Sequence, residues 1–245
     1  MNEQTETLDV IAVGAHPDDI EITCGGTLAR LVEQGYRVGI IDLTNGEPTP
    51  NCPSPDVRVA EANAAAAALG IHERVILEFP NRLLMDNLDA RFALATEFRR
   101  FKPRIVIGFG DKTATASPDH WQAMQITDAA VFYSKLTKWD DQFSDFPPHQ
   151  IERQIYFGLP FSYGRGHQYP NEFIVDISET LEKKVAAIEC YKTQFGGRTD
   201  IIDRVVHCAA VDGMAAGFES GESFFHTKAI GTSDLMKLVL GEPEA

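Results

Sequence analysis

Five short apolar runs divide the first two-thirds of the chain: LDVIAVGA (8–15), RVGIIDLT (37–44), RVILEF (74–79), RIVIGFG (104–110) and QIYFGL (154–159). The first four are nearly continuous rather than alternating, the pattern of strands buried on both faces. Between them the spacing predicts helices over Thr27–Gln34, over VRVAEANAAAAALG (57–70) with Gly70 as terminator, and over LDARFALATEFRRF (88–101), stopping before Pro103. Strand and helix alternate, so right-handed crossovers should build an α/β, doubly wound, mainly parallel sheet with helices on both faces. Ligands then collect at the carboxyl ends of the strands. Beyond Gln154 the pattern gives a short strand, EFIVDIS (172–178), a helix over 179–195 and another over Ile202–Met214. No Ser/Gly/Pro linker sets these apart, and a single domain over 1–245 is expected. The segment GLPFSYGRGHQYPNE (158–172) is polar, aromatic and Gly-rich, suited to a mobile wall of a site.

Composition narrows the function classes. Hydrophobic residues make up 44% and charged residues 24%, ordinary values for a chain with a sizeable core. A net charge of −14 without a Lys/Arg block makes nucleic acid and anionic membranes poor partners. Cys24, Cys52, Cys190 and Cys208 form no CxxC pair and read as reduced and mostly buried, with Cys24 in the core. Met1–Thr7 lacks the basic start and apolar run of a signal peptide, and no stretch is long enough to span a bilayer. The expectation is a cytoplasmic protein. The aromatics Trp139, Phe143 and Phe146, beside a Pro-Pro pair, read either as a homo-oligomer contact or as a local satellite core.

The chemistry concentrates in two loops. His16, Pro17, Asp18 and Asp19 follow the first strand, and Pro17 biases the backbone so that imidazole and carboxylates can face one cleft. An Asp capping the next helix would be the simpler reading. A second cluster, SPDHWQAM (117–124), follows the fourth strand and opens another helix, so the two can converge. His16, Asp19 and His120 would then supply three nitrogen and oxygen ligands and leave a fourth position for water, as catalytic zinc requires, with iron or cobalt able to use the same set. Asp18 is left as a spare base.

These residues carry a resemblance. AHPDD, the GGTLA helix start, RVAEANAAAAALG, PDH and the late KKVAAIECYKTQF together resemble the LmbE-like, or PIG-L, family of zinc-dependent de-N-acetylases over nearly the whole chain. The resemblance implies a Rossmann-like sheet and hydrolysis of an N-acetyl group from N-acetylglucosamine conjugates. It makes His16, Asp19 and His120 the metal ligands and Asp18 the general base. Arg58 aligns with an arginine that contacts substrate in some relatives, the alternative being a solvated or salt-bridged helix residue, and Asp119 reads as a group orienting a ligand or neighbour. One position departs: relatives often carry His-Pro-Asp-His, and here the first histidine is Ser117, which offers a hydrogen bond but no cation for the oxyanion or the leaving amine. Arg165, His167, His207 and His226 are the candidates to replace it. His72 and His149 read as loop residues.

The expected reaction is attack of metal-activated water on the acetamide with Asp18 as base, on a small N-acetyl amino sugar conjugate. The alternatives are a metal hydrolase of a non-sugar N-acyl compound and a sugar-binding protein impaired by the missing histidine. A nucleotide-binding module is disfavoured because GAHPDD stands where G-x-G-x-x-G would be.

Overall fold

Three of the four continuous apolar runs become the centre of the sheet, while RVILEF, expected to be buried on both faces, is a partly buried strand at its edge. The computed structural model describes residues 6–113, 115–160 and 171–240. Val10–Gly14 (β1) and Val38–Thr44 (β2) are buried along their whole lengths, as unbroken Val/Ile/Leu sequences require. Glu73–Phe79 (β3), Ile105–Phe109 (β4) and Arg153–Phe157 (β5) complete five parallel strands in the order β3-β2-β1-β4-β5. The crossovers are helices Asp19–Glu33 (α1), Pro55–Leu69 (α2), Leu88–Phe101 (α3) and Asp119–Tyr133 (α4). Gly70 ends α2 in the left-handed conformation (φ 75°), as its position after the alanine run predicts.

The second part of the chain extends the same sheet. Glu172–Asp176 (β6), the helices Leu181–Glu189 (α5), Lys192–Phe195 (α6) and Thr199–Ala216 (α7), the strand Gly221–Phe225 (β7) and the helix Leu235–Leu240 (α8) follow. β7, absent from the sequence reading, inserts antiparallel between β5 and β6. The strand order reverses between β1 and β4, so the loops after these two strands flank the crevice where such sheets bind ligands.

Helix α1 differs from expectation. It begins at Asp19, eight residues before Thr27, and is broken at Cys24 (φ −134°, ψ 17°). The break frees the backbone N–H groups of Gly26 and Thr27, and the buried Glu222 carboxylate of β7 accepts both (3.0 and 2.7 Å) while pairing with Lys184 of α5. The GGTLA segment is thus the start of the second half-helix, capped from a distant strand. A Cβ on Gly26 would lie 2.8 Å from the Ile177 side chain, so the close approach needs glycine.

Cys24 is buried as expected, but Cys52, Cys190 and Cys208 are partly exposed. Phe143 is fully buried under the Arg99 guanidinium and against Phe92, so it belongs to a local core; Trp139, edge-on to Phe92, is half exposed.

Candidate metal centre

The loop after β1 turns so tightly that its own backbone binds the first carboxylate. Asp19 Oδ2 accepts the N–H groups of Ala15 (3.0 Å) and His16 (2.9 Å). Neither Asp18 nor Asp19 caps α1 through its side chain: Asp18 occupies the N-cap position without a capping bond. Its backbone sits at φ 118°, ψ −26°, a region that favours glycine, and such strain gathers where a side chain must be aimed.

From across the crevice, the first turn of α4 brings in His120. His16, Asp19 and His120 each present one ligand atom, all within 4.8 Å of one another. His16 Nδ1 lies 3.4 Å from Asp19 Oδ2, and His120 Nε2 lies 3.3 Å from Asp19 Oδ1. The other ring nitrogens are held from outside. His16 Nε2 meets Asp119 Oδ2 at 3.3 Å, and His120 Nδ1 meets the Thr113 hydroxyl at 2.8 Å. Asp119 is buried and is itself fixed by the Arg82 N–H (2.6 Å). The Phe109 ring stacks on His120 with centroids 4.6 Å apart. Two imidazole nitrogens and one carboxylate, each backed by an outer hydrogen bond, fit a divalent ion that takes N and O ligands.

Charges are strongly coupled here. Burial alone would lower the pKa of His16, but the Asp19 charge, hydrogen bonds to Asp119 and Asp19, and the Asp18 charge outweigh it and push it up to about 10. Asp19 experiences the reverse: burial would raise it, and the charges of His120 and His16 hold it well below the usual carboxylate range. Asp18 lies outside the triad. Burial, opposed by the Arg58 charge, pushes its pKa up to about 7. Arg58, on α2, is buried, and its Nη2 donates to Asp18 Oδ2 (2.9 Å) and to the Pro17 carbonyl oxygen. Ser117 is partly buried, and its hydroxyl accepts the Asp119 N–H (3.3 Å), so it shapes the start of α4.

The structure therefore gathers His16, Asp18, Asp19, Arg58, Asp119 and His120 in one crevice. Other candidates fall elsewhere. His226 follows β7, and its Nδ1 accepts the Lys228 N–H (2.9 Å). His207 is exposed on α7. His72 Nδ1 accepts the Val38 N–H and His149 Nε2 bonds the Pro103 carbonyl, both as loop residues. Arg165 and His167, with the wall expected around Tyr163–Tyr169, lie outside the described residues. Thr113 escapes a reading of the sequence, because an isolated threonine in DKTATASPDH carries no signal until His120 is seen beside it.

The fold and site define an α/β protein with a candidate divalent-metal centre at its topological switch point. The family model described as GlcNAc-PI de-N-acetylase, PIG-L, matches residues 11–131, the span that contains every residue of the triad. The conserved protein TT1542 from Thermus thermophilus is 32% identical, with a TM-score of 0.78, covering 92% of this chain and 97% of that one. The chain belongs to the PIG-L family. The 1D-myo-inositol 2-acetamido-2-deoxy-alpha-D-glucopyranoside deacetylase of Mycobacterium sp. (strain JLS) is 26% identical over 230 residues, covering 76% of this chain and 73% of the relative. The 4-oxalmesaconate hydratase of Pseudomonas putida is 28% identical over 208 residues, covering 79% and 76%. Among the described residues no helix is long and apolar enough to cross a membrane.

Proposed function

We propose that this chain is a zinc-dependent hydrolase that removes the N-acetyl group from a small N-acetylglucosamine-type conjugate. The observation that carries the reading is the convergence of His16, Asp19 and His120 beside a second, separately held carboxylate, Asp18. Zinc held by the triad supplies a Lewis acid for the amide carbonyl and for the attacking water. Asp18 accepts the proton that water loses as its oxygen bonds to the carbonyl carbon. Arg58 keeps the Asp18 carboxylate in place. The same proton then moves from Asp18 to the departing nitrogen as the C–N bond breaks, giving acetate and a free amine. Asp119 and Thr113 fix the rings of His16 and His120. Ser117 holds the first turn of α4, and the proton for the amine comes from Asp18 rather than from position 117.

A hydratase reading has one supporting observation. The Pseudomonas hydratase is among the relatives, and adding water across a double bond needs a base and a metal but no acid for a leaving amine, a role Ser117 cannot fill as a histidine would. Acetate release from a panel of N-acetylglucosamine glycosides separates the two. The zinc-loaded protein should release acetate, lose activity with a chelator and regain it with zinc. Loss of absorbance from an unsaturated dicarboxylate, with no acetate from any glycoside, would replace the hydrolase reading.

Proton competition sets how tightly the site takes a metal. A His16 pKa of about 10 means the metal-free imidazole is protonated at neutral pH, and that proton must leave before Nδ1 can ligate. The apparent zinc Kd should therefore fall about tenfold per unit between pH 6 and pH 8. Competition titration with a chelating dye would show this; a Kd flat across that range would mean His16 is already neutral.

A further inference from the structure

A line of buried groups runs from Asp18 into the protein. The Arg58 guanidinium lies over the Tyr191 ring, with Cζ 5.0 Å from its centroid. Tyr191 follows α5 and is fully buried. Its hydroxyl donates to Glu21 Oε1 (2.8 Å), which also accepts from Arg74 Nη1 (2.6 Å), and Arg74 Nε donates to Asp42 Oδ2 (2.7 Å). Arg58 itself is loosely tied. Its Nε and Nη1 are buried and have no hydrogen-bond partner among the described residues, so only Nη2 is bonded. A Cβ on Gly46 would come within 3.2 Å of Nε, showing how closely the Gly46 backbone closes the other side.

We propose that Tyr191 is a positioning residue: its ring face holds the Arg58 guanidinium so that Nη2 stays on Asp18 and fixes the orientation of the base. The proposal rests on Asp18 acting as the base. With Nη2 alone hydrogen-bonded, the Nε and Nη1 edges of the guanidinium have no partner among the described residues, and the negative face of a desolvated arene supplies a further contact that holds the group. The hydroxyl has a separate task, since it completes the Glu21–Arg74 cluster. Ring and hydroxyl can therefore be separated by mutation. Catalysis is sensitive to such placement, because a shift of ~1 Å at a reacting group costs on the order of 10²-fold.

The test pairs Tyr191→Leu with Tyr191→Phe, in zinc-loaded protein with metal content measured. Tyr191→Leu should lower kcat for acetate release about 30-fold at unchanged KM and zinc content, a loss below the ~10²-fold of full misplacement. Tyr191→Phe, which keeps the ring, should stay within about threefold of wild type, in line with an unshifted base. An NMR readout is independent of turnover. The Arg58 Nε–H resonance, identified by its absence in Arg58→Lys, should be displaced upfield by the ring in the wild type and in Tyr191→Phe, and not in Tyr191→Leu. An unmoved resonance in Tyr191→Leu overturns the proposal, as does Tyr191→Phe losing as much kcat as Tyr191→Leu, or a raised KM with unchanged kcat. If Tyr191→Leu does not fold, Arg58→Lys probes the contact from the other side: it keeps the charge but not the flat face, and wild-type kcat in that variant also overturns the proposal. A wild type that releases no acetate but shows the displaced resonance fails the hydrolase reading and leaves the ring contact in place.

Discussion

The Asp18→Asn protein will bind zinc as the wild type does and release acetate about 10³-fold more slowly, the effect of removing a general base. Asparagine keeps the size of the side chain and an oxygen for Arg58 Nη2, so the crevice stays filled and the guanidinium stays paired. What disappears is the ability to take a proton from water, a loss of roughly 4 kcal/mol in barrier height. Asp18 lies outside the triad of His16, Asp19 and His120, so zinc content measured by elemental analysis should not change. Wild-type turnover in this variant would remove Asp18 from the role of base, and lost zinc would make it a ligand.

The largest loss of stability will come from Glu222→Ala. This one carboxylate accepts the Gly26 and Thr27 N–H groups at the break in α1 and neutralises Lys184, and both charged side chains are almost wholly buried. Truncation leaves a buried ammonium and two buried donors unmet, at a cost of roughly 3–5 kcal/mol. For a chain of this size that lowers Tm by about 10 °C or more in a calorimetric scan. Adding Lys184→Met to Glu222→Ala should recover part of the loss, because the stranded charge is then gone. A double variant no more stable than the single one would place the cost in the helix break alone.

Most of the frame was legible in the sequence because it rests on strong local signals. Continuous Val/Ile/Leu runs mark central parallel strands, and Gly70 ends its helix where a left-handed residue is needed. The triad was legible for the same reason, since His16, Asp19 and His120 sit next to strand ends that such a sheet must bring together. The misses share a cause. GESFF at 221–225 is short, begins with glycine and places Glu222 in the core, so nothing in its pattern marks a strand; only its partners β5 and β6 do. The sequence points to Thr27 as the start of α1 because Gly25 and Gly26 disfavour a helix interior, and the half-helix before them is held by tertiary bonds from residue 222. Tyr191 meets Arg58 from far away in the chain, and Thr113, though only seven positions before His120, carries no pattern of its own, so both contacts appear only once the fold places them.

The cap on α1 also has a consequence for the order of synthesis. All three triad residues lie within the first 120 positions, yet the carboxylate that secures the helix presenting Asp19 is made a hundred residues later. During translation the nascent chain carries Asp19 on a helix whose central N–H groups are still open to water. The helix that presents Asp19 thus gains the cap on its second half only once Gly221–Phe225 has been made.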